Sequence, residues 1–93
     1  MTAQYMTGRL YAELSYNVPA VKWYTKAAEQ ECPEAQYELG VCYETGDGVG
    51  KDEAKAAGLY RKAAVQGYAE AQKKLGDCYT HGIGVAKDLE QAF

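Results

Sequence analysis

The sequence lacks the features that mark membrane, exported and nucleic-acid-binding proteins. No stretch without charged residues approaches the roughly 20 apolar residues that a membrane helix requires, and no basic lead with an apolar block opens the chain. The ten Lys and Arg residues are scattered, and the net charge is −3. Because no basic stripe could replace counterions on phosphates, we expect no nucleic acid as the partner. Because no apolar stretch is long enough, we also expect no membrane.

Cysteine is scarce and does not form a recognisable set. Cys32, Cys42 and Cys78 are odd in number and have no CxxC spacing, whereas a disulfide framework prefers an even number of thiols. Reduced thiols and the absence of a leader predict a cytoplasmic protein, although a leader trimmed from a longer chain would leave the same sequence.

Phenylalanine and tryptophan occur once each, while tyrosine occurs nine times. An internal repeat accounts for most of these rings. Residues 35–57 align with residues 71–93 at an offset of 36, with 12 identities in 23 positions. The first residues, Ala3-Gln4-Tyr5, match Ala35-Gln36-Tyr37 at an offset of 32, so the first unit is four residues shorter.

The repeat divides a single domain of residues 1–93 into three units, about 3–34, 35–70 and 71–93, the last cut short. Apolar residues recur at helical spacing in each unit, and no strand pattern is present. We call the two predicted helices of each unit helix A and helix B. The expected fold is all-α: a right-handed α-α superhelix, or solenoid, of about two and a half helix-turn-helix repeats.

Turn and cap residues predict where these helices end. Gly46 follows the apolar face of the second helix A, where a left-handed cap is expected, and Asp52 precedes the next helix B as its N-cap. Pro33 is expected in the first turn of a helix. In the third unit, Asp88 and Gln91 predict a capping box.

Glycine and tyrosine occupy recurring positions. Gly8, Gly40 and Gly76 fall at one mid-helix position, where glycine costs about 1 kcal/mol relative to alanine. Their recurrence predicts close approach of a neighbouring helix, with tyrosine filling the adjacent space. Seven tyrosines are assigned equivalent core positions: Tyr5, Tyr11, Tyr24, Tyr37, Tyr43, Tyr60 and Tyr79.

The second unit carries a specific motif, which the other units repeat in part: Ala35-Gln36, Leu39-Gly40, Tyr43, Gly46-Asp47-Gly48-Val49, Lys51-Asp52 and Tyr60-Arg61-Lys62-Ala63-Ala64. The chain thereby resembles Sel1-like repeat proteins, a branch of the tetratricopeptide-type solenoids. The first unit departs from the motif, because Leu14 to Pro19 replace the glycine loop and predict a tighter turn. The resemblance implies a scaffold or adaptor role without identifying a partner.

Helix A of each unit is expected to line the concave face of the superhelix, where solenoids bind partner segments. The candidate binding residues are Tyr5, Arg9, Glu13, Tyr37, Val41, Glu44, Lys73, Asp77 and His81. Thr2, Ala12, Glu34, Thr45, Glu70 and Thr80 are expected on the same strip. Only Arg9 and Lys73 are basic, so the strip favours a basic or mixed peptide over an acidic tail. Each residue fits an ordinary solvated helix face equally well.

Catalytic and metal sites find little support in the sequence. Asp77, Cys78 and His81 have helical spacing, but a structural zinc needs four ligands, and no second Cys/His pair completes the set. The segments Gly46-Asp-Gly48 and Gly82-Ile-Gly84 are expected to be turns, because a nucleotide-binding loop needs a preceding strand. No nucleophile with a base is evident. We expect no enzyme activity, no metal and no cofactor.

The leading hypothesis is a module that binds a protein or peptide. Two alternatives stay open. The third unit stops at Phe93, which leaves the apolar face of its helix A uncovered, and end repeats of solenoids need polar caps. The chain could therefore be a self-associating structural fragment that forms a homo-oligomer through this end. It could also be a regulatory repeat domain of a larger protein.

Overall fold

The computed structural model describes the backbone of residues 3–81 and the side chains of residues 4–80. Within this range the chain forms five helices and no strand: α1 (Ala3–Glu13), α2 (Asn17–Glu29), α3 (Pro33–Thr45), α4 (Glu53–Val65) and α5 (Ala69–His81). Each helix packs mainly on the helix before and the helix after it. This nearest-neighbour arrangement is that of a solenoid, and it confirms the predicted all-α stack of helix hairpins.

The two described hairpins have different turns, as the sequence predicts. Three residues, Leu14-Ser15-Tyr16, join α1 to α2, whereas the seven residues 46–52 join α3 to α4. Ser15 has a φ of 64°, and the Tyr16 N–H donates a 2.8 Å hydrogen bond to the Tyr11 carbonyl. The chain therefore reverses within one tight turn in the first unit.

The predicted caps of α3 and α4 are confirmed. Gly46 ends α3 in the left-handed region with a φ of 78°, and its N–H donates to the Cys42 carbonyl. Asp52 begins α4, where its carboxylate accepts a 3.1 Å hydrogen bond from the backbone N–H of Lys55. Pro33 lies in the first turn of α3. The capping box of Asp88 and Gln91 and the loop from Gly82 to Gly84 lie outside the described residues.

Close helix contacts at two glycines set the distance within each hairpin. A Cβ atom on Gly8 would lie 2.8 Å from the Tyr24 ring, and one on Gly40 would lie 2.7 Å from the Tyr60 ring. Both distances are shorter than atoms tolerate. The predicted pairing of a helix A glycine with a helix B tyrosine is therefore confirmed in both hairpins.

Two buried clusters form the core. The first joins α1, α2 and α3 around Tyr5, Tyr24 and Leu39. The second joins α4 to α5 through Tyr60 and Cys78, with side chains of α3 packed against it. Tyr43 of α3 packs against both clusters, so the two cores adjoin along the row of helices.

Glutamine side chains join one repeat to the next. The Gln36 amide donates to the Ala28 carbonyl at 3.3 Å, and the Gln72 amide donates to the Ala64 carbonyl at 3.2 Å. The two glutamines are 36 residues apart, as are the two alanines, so one hydrogen bond recurs at both described repeat junctions. Gln4 has the same repeat position, and its buried Oε1 has no hydrogen-bond partner among the described residues.

Candidate functional site

We call the predicted binding residues the helix A strip: Tyr5, Arg9 and Glu13 on α1, Tyr37, Val41 and Glu44 on α3, and Lys73, Asp77 and His81 on α5. The structure distributes these residues among three environments: the core, the open surface and a contact zone between repeats. His81 is the last residue of α5, and its side chain is not among those described.

Tyr5 lies in the core, so its expected outward position is wrong. Its side chain is 3% exposed, and its ring centroid lies 5.9 Å from that of Tyr24. Arg9 donates a hydrogen bond to the Tyr5 hydroxyl, and burial raises the pKa of this phenol. Tyr5 thus behaves as the core ring that the repeat pattern also predicts, because α2 carries Tyr24 against the same side of α1.

Four strip residues lie on the open surface. Arg9 and Glu13 form a 3.8 Å ion pair one turn apart on α1, with both side chains more than half exposed. Lys73 and Asp77 are exposed on α5. An exposed ion pair such as Arg9–Glu13 contributes about 0–1 kcal/mol to stability. All four charged side chains are therefore available to a partner.

Tyr37 and Val41 form the apolar centre of the strip. Both are half-buried on α3, one helical turn apart. The Tyr37 ring centroid lies 5.8 Å from that of Tyr60 and 5.5 Å from that of Tyr68. Since Tyr68 immediately precedes α5, this ring contact lies at the end of the second repeat, next to the start of the third.

Glu44 is held by two partners from the following helices. The Tyr60 hydroxyl donates to its carboxylate at 2.7 Å, and the Lys74 ammonium lies 3.4 Å away as an ion pair. Both side chains of this ion pair are mostly buried. Lys74, which is not among the predicted strip residues, therefore contacts the strip at Glu44, whereas the predicted Lys73 is exposed.

Glu38 gives the strip an acidic character. It is half-buried on α3, where desolvation raises the pKa of its carboxyl and the nearby Arg9 lowers it by a smaller amount. The Tyr68 phenol has its pKa raised by burial first and then by Tyr5 and by Glu34, Glu38 and Glu70. Three carboxylates thus act on one ring at the centre of the strip.

The structure adds three residues to the predicted site: Glu38, Tyr68 and Lys74. Tyr68 is one of two tyrosines to which the repeat pattern assigns no core position. This is the one feature of the sequence that could have indicated a role for Tyr68 outside the core. Glu38 and Lys74 are 36 residues apart and share one repeat position. Their importance depends on contacts between repeats, which helical spacing alone does not reveal.

Two of the cysteines are poorly suited to act as nucleophiles. The cysteine thiols are free, and burial raises the pKa of Cys42 to about 11 and raises that of Cys78 as well. A protonated thiol is a poor nucleophile. Among residues 4–80, no three His, Cys, Asp or Glu side chains are grouped as metal ligands would be.

No helix of the described range has the length and apolarity to span a bilayer.

The family model of the Sel1 repeat matches the chain three times, at residues 2–32, 33–68 and 69–93. These segments cover nearly the whole chain and begin one or two residues before the units that the internal alignment predicts. A search of curated proteins gave no match.

Two solved structures are similar over 97% of this chain. One is c5321, a protective antigen of uropathogenic Escherichia coli strains that displays an SLR fold, with 40% identity and a TM-score of 0.93. The other is a Sel1 repeat protein from Oxalobacter formigenes, with 41% identity and a TM-score of 0.92. The chain spans 20% of the first protein and 39% of the second, so both contain much more than the part matched here.

Proposed function

Because this chain belongs to the Sel1 repeat family, we propose that it binds a basic or mixed peptide along the helix A strip, on the concave face of the solenoid. Sel1 repeats generally serve as protein-interaction modules. The residues of α3 determine which surface of this chain binds the partner and which charge that partner has.

The observation that carries the proposal is the position of Glu38 beside the apolar pair of Tyr37 and Val41. The pKa of this half-buried carboxyl is raised because burial removes hydrating water, and the positive charge of Arg9 offsets only part of that effect. A Lys or Arg side chain of a partner would supply that charge, and its methylene stem would cover the neighbouring ring. An apolar centre with a charged rim is also the usual anatomy of a protein interface.

We further propose that the chain acts as a scaffold without enzyme activity or cofactor. Proteins built from this repeat are generally not enzymes. The raised thiol pKa values agree with this role. The cytoplasmic location stays a prediction from the unpaired cysteines, and the exclusion of nucleic acid stays a prediction from charge.

NMR titration tests the binding proposal. The probes are two peptides with the same leucines, one with lysines and one with glutamates at the remaining positions. We expect the lysine peptide to shift the amide signals of Tyr37 and Val41 and the glutamate peptide to leave them unchanged. Glu38→Gln should weaken binding about fivefold, the ratio that corresponds to ~1 kcal/mol for a partly exposed ion pair. The control is Glu29→Gln, an exposed carboxylate on α2. Equal shifts of the Tyr37 and Val41 amide signals with both peptides would refute the choice of partner.

A second candidate function is self-association, and the outer side of α1 favours it. Met6, Leu10 and Leu14 follow one another at intervals of four residues and are 54%, 57% and 56% exposed. Leu10 has the repeat position of Cys42 and Cys78, which pack against the preceding helix B. Gln4 likewise has the position of the glutamines that bond to a preceding repeat. This face therefore suits the end of another copy of the chain, and such end-to-end contacts are heterologous and can continue.

Light scattering over a concentration series tests self-association. The expected result is an average mass that rises with concentration and falls back to the monomer in Leu10→Ser. Val65→Ser is the matched control, because Val65 is an exposed apolar residue on α4, away from this face. A monomer at all concentrations would exclude this function.

A further inference from the structure

We propose a second binding site, a depression between α3 and α4 that takes one apolar side chain of an acidic peptide. The depression has a volume of about 310 Å³ and is lined by Leu39 and Tyr43 of α3 and by Lys55, Gly58, Leu59 and Lys62 of α4. Pockets that bind small molecules begin at about this size. Leucine and tyrosine carbons form the floor, and the two lysines stand at its edges.

This site is separate from the helix A strip. Leu39 is two residues away from both Tyr37 and Val41, which on an α-helix is a rotation of about 200°. Leu39 packs with the first core cluster, on the side of α1 and α2, whereas Tyr37 and Val41 pack with the second. A partner in the depression would therefore leave the strip open.

Gly58 is the reason that the depression exists. A Cβ atom at Gly58 would meet nothing within 4 Å, unlike Gly8 and Gly40, where it would collide with a tyrosine ring. No close packing thus requires a glycine here, although a mid-helix glycine costs about 1 kcal/mol relative to alanine. What the missing side chain provides is open space above Leu59.

The first hairpin has larger side chains at the same repeat positions. At an offset of 36, Lys22 corresponds to Gly58 and Trp23 corresponds to Leu59. The Lys26 ammonium, which corresponds to that of Lys62, lies 4.7 Å from the centre of the Trp23 ring. The indole thus already has a cation above it in the first hairpin, whereas a glycine and a shorter side chain leave space in the second.

Charge selects the partner. Lys55 and Lys62 are exposed, and the ion pairs among the described residues are Arg9–Glu13 and Lys74–Glu44, so neither lysine has a carboxylate partner there. The Lys55 ammonium lies 5.3 Å from the Tyr43 ring centre, at the edge of the apolar floor. Two unpaired cations beside an apolar floor suit an apolar side chain flanked by carboxylates.

The spacing of the lysines defines the motif. Seven helical residues span about 10 Å, and an extended peptide advances about 3.3 Å per residue. Because alternate side chains of an extended peptide point to the same side, acidic residues two positions before and two positions after a leucine would lie about 13 Å apart. Their flexible side chains would reach both lysines, with the leucine in the depression.

Fluorescence anisotropy with a labelled peptide tests this site. The probe has one leucine with a glutamate two positions before it and another two positions after it, and the comparison peptide has lysines instead. We expect the glutamate peptide to bind and Gly58→Leu to weaken it about tenfold, since its side chain fills the space that a buried leucine would use. Gly58→Leu should fold at least as stably as the native chain, because leucine is the better helix former.

A matched pair of variants separates this site from general attraction to lysine. Lys62→Gln should weaken the glutamate peptide severalfold, whereas Lys26→Gln, at the same position of the first hairpin, should leave its affinity unchanged. Any of three results would overturn the proposal. They are undetectable binding of the glutamate peptide, unchanged binding by Gly58→Leu, and equal effects of the two lysine variants. In an NMR titration with the glutamate peptide, shifts of the Tyr37 and Val41 amide signals in place of the Leu59 signal would assign the peptide to the helix A strip. That result would also overturn the proposal.

Discussion

The Tyr60 hydroxyl on α4 donates a 2.7 Å hydrogen bond to Oε1 of Glu44 on α3. Burial and this bond to Glu44 raise the pKa of Tyr60, so the hydroxyl stays protonated and acts as the donor. Lys74 of α5 approaches the same carboxylate at 3.4 Å. Three helices of two repeats thus meet at one carboxylate, beside the apolar centre of the helix A strip.

Removing this hydroxyl should destabilise the fold without opening a cavity. Tyr60→Phe keeps the ring against Gly40 and leaves Glu44 with Lys74 as its remaining partner. We expect the free energy of unfolding to fall by about 1–2 kcal/mol, as for the loss of a hydrogen bond to a charged acceptor. Urea denaturation measures the change, and Tyr16→Phe is the control because Tyr16 is exposed. Equal effects of the two substitutions would contradict the assignment.

Alanine should act in opposite directions at two helical glycines. At Gly40 a Cβ atom would lie 2.7 Å from the Tyr60 ring, while at Gly58 it would meet nothing within 4 Å. Gly40→Ala should therefore destabilise the fold by about 1–3 kcal/mol through overpacking. Gly58→Ala should stabilise it by about 0.5–1 kcal/mol through helix propensity. Thermal unfolding of the two variants compares the signs directly, and the same sign for both would count against the packing described.

Much of the fold follows from the sequence because its determinants are local or repeated. The left-handed cap at Gly46, the N-cap at Asp52 and the tyrosine opposite Gly40 all lie at predictable repeat positions. Each needs only neighbouring residues, or one partner helix whose position the repeat already defines. Comparing the sequence with itself was therefore enough to predict the stack of hairpins.

The site was less predictable because its contacts cross from one repeat to another. Helical spacing placed Tyr5 on the outer face, but Tyr24 approaches that side of α1 and buries the ring. The partner of Glu44 is Lys74, 30 residues away, and the choice between adjacent lysines depends on the rotation of α5 relative to α3. The sequence does not specify that rotation to within one residue.

The repeated glutamines should differ in importance according to their partners. Gln36 donates to the Ala28 carbonyl and to Glu31, and its oxygen accepts a 2.8 Å hydrogen bond from Gln66. Gln36→Leu removes these three hydrogen bonds at the repeat junction and should cost about 1–3 kcal/mol. Gln4→Leu should be nearly neutral, since the buried Oε1 of Gln4 has no partner among the described residues. Chemical denaturation of both variants tests the difference, and a larger loss for Gln4→Leu would show that the junction has been misread.

Glu38 should make stability decline as the pH rises. Its carboxyl has a pKa above the ordinary value of 4.5 because of desolvation, so the folded chain binds this proton more tightly than the unfolded chain. Between the ordinary pKa and the raised one, the folded state therefore holds more protons, and the free energy of unfolding falls with increasing pH. Glu38→Gln removes this contribution. The variant should gain stability relative to the native chain at pH 7, and this gain should shrink towards pH 4. Denaturation at a series of pH values measures the difference, with Glu29→Gln as the control. A gain that is constant with pH would mean that the carboxyl is not desolvated and that Glu38 does not favour a cationic partner at the strip.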